Sequence, residues 1–139
     1  MRVKDLVHHR PVTIARDTPV LEARRIMQAK CIRHLLVVED GRLVGIVTDR
    51  DIRLNMPSPA TTLSVWEVNY LLARLTAGEV MTTTVIVVDP ERDARDAASL
   101  LVSERIGALP VVDGDKLVGI VTETDLLRAF VESLVPVPR

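Results

Sequence analysis

An α/β (α+β) fold of two tandem copies of one unit is predicted, each copy a small three-stranded sheet with two helices, the pair packed with pseudo-two-fold symmetry. Three observations predict it. The stretch Leu43-Val44-Gly45-Ile46-Val47-Thr48-Asp49-Arg50-Asp51 returns almost unchanged as Leu117-Val118-Gly119-Ile120-Val121-Thr122-Glu123-Thr124-Asp125. Aligning Thr48 with Thr122 sets an offset that holds without gaps, so that Leu6 falls on Val80, Val12 on Ile86, Ala23 on Ala97 and Ile32 on Ile106. Within each copy, short apolar runs of strand length alternate with segments whose apolar residues recur at helical spacing. Two copies are too few for a solenoid, which leaves an internal pair sharing one core.

In the first copy, Val3 to Arg10 leads in, and Pro11-Val12-Thr13-Ile14-Ala15 reads as a short strand. Thr18 as N-cap with Pro19 at the first helical position, where a missing N–H costs nothing, predicts a helix with an apolar stripe of Leu21, Ala23, Ile26 and Met27. Leu35-Leu36-Val37-Val38 makes a buried strand, Asp40-Gly41 turns it, and Leu43 to Val47 returns antiparallel. A second helix is expected from Asp51 through Ile52 and Leu54.

Asn55 to Ala60, with two prolines and a serine, has the composition of a linker. Ser64-Val65-Trp66-Glu67 has the capping-box pattern and predicts a helix to about Leu75, whose stripe of Val65, Val68, Leu72 and Leu75 is expected to lie across the two units. Trp66 and Tyr70 sit one turn apart on it, suited to core or dimer packing or to stacking on a ligand.

The second copy repeats the plan. Val85 to Val88 is its first strand, Ala94 to Val102 lies in a helix, and Leu109-Pro110-Val111-Val112 and Leu117 to Val121 flank Gly114 as a hairpin. The last helix is expected from Thr124, carrying Leu126, Leu127, Phe130 and Val131, and Pro136 and Pro138 follow it. The expected divisions are 1–55 for the first repeat, 56–75 for linker and connecting helix, and 76–139 for the second repeat.

A net charge of −1 and three aromatic residues in all leave neither an electrostatic footprint nor a stacking platform for nucleic acid. No apolar run approaches the ~20 residues that span a bilayer, so no membrane insertion is expected. Met1-Arg2-Val3-Lys4-Asp5 lacks the apolar region of a signal peptide, and the single Cys31 allows no intrachain disulfide, so the cytoplasm is the expected location.

The repeated corner carries the chemistry. Thr-x-x-Asp puts a hydroxyl and a carboxylate one helical turn apart where strand passes into helix. Free N–H groups at a helix start suit phosphate, the Thr adds a hydrogen bond, and a carboxylate accepts well from a vicinal diol such as ribose. Capping alone is the competing explanation. A cap needs one side chain, whereas here both recur with the same glycine three residues before the Thr.

Other chemistries find less support. His8, His9, His34 and Cys31 lack zinc spacing, so no metal is expected, and Cys31 at a helix end reads as a small buried hydrophobe. Nothing orients a third group beside Cys31 and His34 for nucleophilic catalysis. Asp49, Asp51, Asp89, Asp93, Asp96, Asp113 and Asp115 are mostly explained by turns and helix starts, and Glu91 to Asp96 reads as a solvated helical face.

Two gapless units, each closing on Gly-Ile-Val-Thr-x-x-Asp, resemble a tandem pair of CBS domains, the Bateman module. The resemblance is specific at residues 45–51 and 119–125 and at the preceding Ile32-Arg33-His34-Leu35-Leu36-Val37-Val38 and Ile106-Gly107-Ala108-Leu109-Pro110-Val111-Val112. The wording of Ile32 to Asp51 and Thr124 to Phe130 is similar to the CBS half of acetoin-utilisation accessory proteins, and the C-terminal small-molecule-binding domain that those proteins often carry is not expected here. Leu36 stands where the second repeat has Pro110 and the family usually has proline, which concerns strand entry more than ligand chemistry.

The resemblance implies regulation without catalysis, through adenine nucleotides or other adenosyl ligands held in clefts between the repeats. The implied first cleft uses Thr48, Arg50, Asp51, Arg33 and His34, with Thr82, Thr83, Val85 and Ile106 from the other repeat. The implied second cleft uses Thr122, Thr124, Asp125, Gly107 and Ala108, borrowing Val7, His8, Val12 and Ile32, with His8 or Arg128 as its cation. Arg33 and Arg50 make the first cleft the more basic and the expected better nucleotide site. No cofactor is required; AMP, ADP or ATP is the expected ligand class, with S-adenosylmethionine possible. The expected partners are a second copy and a regulated protein acting in trans. A structural homodimerisation scaffold with empty clefts is the alternative.

Overall fold

The computed structural model describes residues 1–7, 10–57 and 62–134; His8, His9, part of the proline-bearing linker, Pro136 and Pro138 lie outside the described residues. The chain forms two compact units, Val12–Val85 and Met1–Pro11 with Ile86–Arg139. Each unit therefore joins the sheet of one repeat to the leading segment of the other.

In the unit Val12–Val85, β1 (Thr13–Ile14) runs parallel to β2 (His34–Glu39), which pairs antiparallel with β3 (Arg42–Thr48). The hairpin register runs from His34 opposite Thr48 to Glu39 opposite Arg42. Asp40 and Gly41 close it at φ 51° and 77°, both positive as a type I′ turn requires. Helix α1 (Val20–Lys30) buries Val20, Ala23 and Met27, with Leu21 and Ile26 partly buried beside them. Its N-cap is Pro19 rather than Thr18, because the Thr18 hydroxyl is taken by the turn, accepting from Ala15 N at 3.1 Å. The helix ends at Cys31, which adopts φ 54° and is exposed, not the buried hydrophobe expected.

Helix α2 (Asp49–Leu54) begins two residues before the expected Asp51, since Thr48 is its cap. Helix α3 (Val65–Arg74) starts on the capping box that the sequence predicts: Glu67 N donates to Ser64 Oγ at 3.2 Å, and Ser64 N to Glu67 Oε1 at 3.3 Å. It lies against α1 through buried Leu72 and partly buried Val68 and Leu75, while Val65 drops out of the predicted stripe and stays exposed. Trp66 and Tyr70 are exposed too, so neither is a core residue of this chain. The short α4 (Ala77–Val80) completes the unit, whose core gathers Leu35, Val37, Val47, Ile52, Leu72 and Ala77.

In the other unit a 3-10 turn, Val3–Leu6, buries Val3 and Leu6 against α5 (Ala94–Glu104) and the hairpin of β4 (Ala108–Asp113) and β5 (Lys116–Thr122). Helix α6 (Glu123–Ser133) follows at once, one residue ahead of the expected Thr124. The strand predicted over Val85 to Val88 is reduced to a single parallel bridge between Val88 and Val111. Its cause is Pro110. In the first repeat Leu36 N donates to Val12 O at 3.1 Å, whereas Pro110, at the matching position, has no N–H to offer Ile86. The charged run 91–96 is also divided, because the helix starts only at Ala94: Glu91 meets Lys4 at 2.9 Å, and Arg92 pairs with Asp96 at 2.9 Å.

Candidate functional site

In the unit Val12–Val85 the corner forms where β3 runs into α2. Pairing of His34 with Thr48 brings the start of β2 alongside, and Asp49 N donates to Arg33 O at 3.0 Å. Thr48 N donates to Asp51 Oδ2 at 2.9 Å, and Asp51 N donates back to Thr48 Oγ1 at 3.1 Å. The leading segment of the second repeat reaches the same strand: Ile46 and Thr82 exchange backbone hydrogen bonds of 3.0 and 2.9 Å. Gly45 permits this approach, since a Cβ there would stand 2.5 Å from Met81 Sδ and 3.1 Å from Thr82 O.

The structure thus brings Arg33, His34, Thr48, Arg50 and Asp51 to one end of the sheet, with Thr82 on its edge. Arg33, Arg50, Thr82 and Thr83 are exposed and Val85 is partly buried. Neither Arg33 nor Arg50 has a carboxylate partner among the described residues, whereas Arg53 lies 3.8 Å from Asp49. Val12 and Ile32, expected in the second cleft, pack partly buried against the core of this unit.

The corner of the other unit repeats the geometry. Thr122 N and Thr122 Oγ1 donate to Asp125 Oδ2 at 2.9 and 3.0 Å, and Asp125 N donates to Thr122 Oγ1 at 3.3 Å. Ala108 pairs with Thr122, and Glu123 N donates to Gly107 O at 3.0 Å. Thr124 is exposed on the first turn of α6, and Arg128 lies 3.9 Å from Asp125 Oδ1. Val7 fills the space beside Gly119, where a Cβ would collide with its Cγ1. Ile106, expected in the first cleft, packs on the core of this unit. His8 lies outside the described residues.

Recurrence of both Thr and Asp does not by itself require a ligand, because a reciprocal capping box uses both side chains. What capping leaves over is one carboxylate oxygen. Among the described residues Asp51 Oδ1 has no hydrogen-bond or ion-pair partner, and the only one near Asp125 Oδ1 is Arg128. The sequence reasoning missed Met81 and Gly45 as a matched pair; the glycine before the strand end was the signal.

A surface depression lined by Ala15, Arg16, Asp17, Val38, Glu39, Asp40 and Thr76 lies at the hairpin end of β2, roughly 17 Å along the strand from the corner. It contributes none of the corner residues. No cluster of three His, Cys, Asp or Glu side chains suited to a metal occurs among the described residues, and no helix among them is long and apolar enough to cross a membrane.

A sheet-and-helix unit occurring twice, each copy closing on a Thr-x-x-Asp corner, defines a tandem-repeat module. The CBS domain model matches residues 3–58 and 77–132, and the chain belongs to the CBS domain family as a tandem pair. Among solved structures it is similar to AcuB, a protein of Vibrio cholerae assigned to acetoin utilization, with 31% identity and a TM-score of 0.79 over 96% of this chain and 93% of that one. It is similar to the CBS pair of protein MJ0100 in complex with 5′-methylthioadenosine and S-adenosyl-L-methionine, with 30% identity and a TM-score of 0.78 over 96% and 98%. It is also similar to CBSX2 in complex with AMP, with 29% identity and a TM-score of 0.77 over 95% and 97%.

Proposed function

We propose that this CBS pair is a ligand-sensing regulatory module of the cytoplasm, not an enzyme, and that it binds adenine nucleotides, with S-adenosylmethionine as the alternative adenosyl ligand. The observation that carries the reading is Oδ1 of Asp51, without a partner among the described residues, in a corner where Oδ2 is already spent on capping. A carboxylate oxygen so placed is the acceptor that a ribose diol needs. Arg33 and Arg50, exposed and without carboxylate partners among the described residues, supply positive charge for phosphates, and Thr82 and Thr83 supply hydroxyls. The ligands of MJ0100 and CBSX2, all adenosyl compounds, support the same class.

The second site is Thr122, Thr124 and Asp125 with Gly107, Ala108 and Val7. It is the weaker one, because Gly107 and Ala108 replace Arg33 and His34 and because Arg128 already neighbours Asp125. Regulation is by linkage: a ligand favours the arrangement that it binds better and shifts a protein partner in trans by no more than that difference.

The experiment is a thermal-shift series on protein freed of nucleotide, with AMP, ADP, ATP, S-adenosylmethionine and 5′-methylthioadenosine against guanosine and cytidine nucleotides. A ligand selective for the native state raises the melting temperature with its concentration. A shift confined to adenosyl compounds and lost in Asp51→Ala is expected; equal shifts with all nucleotides, or none, overturn the reading.

A second reading, a homodimerisation scaffold, is favoured by α6. Leu127, Phe130, Val131 and Leu134 form one exposed stripe at helical spacing, 60–65% accessible. Assembly that persists without any adenosyl shift would select the scaffold.

A further inference from the structure

All three aromatic side chains of the sequence are exposed: Trp66 by 84%, Tyr70 by 57% and Phe130 by 61%. Aromatic residues bury more apolar area than any others, and a core that uses none leaves them for contacts outside the fold. Two of the three share one face of α3. Trp66 and Tyr70 are four residues apart, on the side away from Val68 and Leu72, and Arg74 stands one turn further on, its guanidinium carbon 4.4 Å from the centre of the Tyr70 ring.

That stacking orients the guanidinium while leaving its N–H donors free for a carboxylate. No carboxylate pairs with Arg74 among the described residues. The other charged residue of the helix, Glu67, is held back by Ser64, whose Oγ donates to its Oε1 at 3.1 Å. The face therefore presents an indole, a phenol and one uncompensated positive charge, in line over two turns. Trp, Tyr and Arg are the residue types that dominate protein–protein binding energy.

We propose that the Trp66–Tyr70–Arg74 face of α3 docks an acidic amphipathic helix of a partner protein. Apolar side chains of that helix cover the two rings, and a carboxylate one turn along meets Arg74. Charge complementarity selects this occupant: a second copy of the same face carries another Arg74 and no carboxylate to meet it, since Glu67 is bonded to Ser64. That the docked protein is the regulated one rests on the sensor reading; the docking surface itself does not.

The test is panning a phage-displayed library of helix-forming peptides, about 15 residues long, on the full chain, with calorimetry of the enriched peptides as synthesised. Enriched peptides are expected to place Asp or Glu three or four positions from Leu, Ile or Phe. Trp66→Ala, Tyr70→Ala and Arg74→Ala are each expected to weaken their binding about tenfold or more. Because the three side chains are exposed, the variants keep the wild-type melting temperature and any adenosyl-induced shift, which separates failure here from failure of the nucleotide reading. No enrichment over panning on the Trp66→Ala/Tyr70→Ala double variant, enriched peptides without acidic residues, or unchanged binding to Arg74→Ala overturns the proposal. So does self-association abolished by the double variant, which would assign the face to a second copy.

Discussion

Met81 lies against Gly45 so closely that a Cβ at Gly45 would come within 2.5 Å of the Met81 sulfur. The contact fastens the leading segment of one repeat to the closing strand of the other and sets Thr82 on the edge of β3. Gly45→Ala forces Met81 to move and crowds Thr82 O at 3.1 Å, so a loss of about 1–3 kcal/mol in chemical denaturation is expected. Met81→Ala added to Gly45→Ala should recover part of it. A double variant no more stable than the single one would remove the contact as the cause.

The two halves of the corner chemistry are separable in Asp51→Ala. Losing the carboxylate of the capping box should cost about 1 kcal/mol in the absence of ligand. Calorimetry with the best adenosyl ligand should show a larger loss of binding from Asp51→Ala than from Asp125→Ala, because Arg128 already lies 3.9 Å from Asp125 Oδ1. The reverse order would make the second corner the principal site.

Charge at the first corner predicts which ligands suffer from its removal. Arg33→Ala combined with Arg50→Ala should lower ATP affinity by roughly tenfold or more while leaving 5′-methylthioadenosine, which has no phosphate, nearly unchanged. Added salt should reproduce the same contrast in the unaltered protein, since exposed charges are screened. Parallel losses for both ligands would show that the arginines act on structure instead.

Pro110 accounts for the missing strand, and Pro110→Leu tests the account. The new amide matches that of Leu36 and should pair with Ile86 O, extending the bridge at Val88. Hydrogen exchange at residue 110 is expected to slow by roughly tenfold or more relative to an unpaired amide. An amide at 110 that exchanges freely would leave the shortened sheet without an explanation.

For α6, Phe130→Asp places a charge in the centre of the exposed stripe. If the stripe is an isologous contact, sedimentation should show a dimer converted to monomer with little change in melting temperature, since Phe130 is outside the core. A species of unchanged mass would free α6 of that role.

Much of this fold was legible because the chain states it twice. Hairpin strands, the Ser64–Glu67 cap and most helix-face residues follow from spacing alone. The expected helix starts, Asp51 and Thr124, fall two and one residues late, because the caps are the motif threonines Thr48 and Thr122 and the helix begins at the next residue. The first strand of the second repeat is not legible as lost, because the sequence shows the place of Pro110 in its own strand more plainly than the donor it denies its neighbour. The hydrophobicity of Trp66 suits core packing, but in the fold Val68 and Leu72 already fill the side of α3 that meets α1. At the corner, residue types were readable and the division of labour was not. Only distances reveal that one oxygen of each aspartate is committed to capping.

The exposure of Trp66 has an optical consequence. Its indole is the sole tryptophan chromophore and is already bathed in water in the native state, at 84% accessibility. Denaturation will barely move its emission, so an unfolding curve followed by intrinsic fluorescence will look flat while circular dichroism records the transition. The same indole is a background-free lamp for anything that settles on α3.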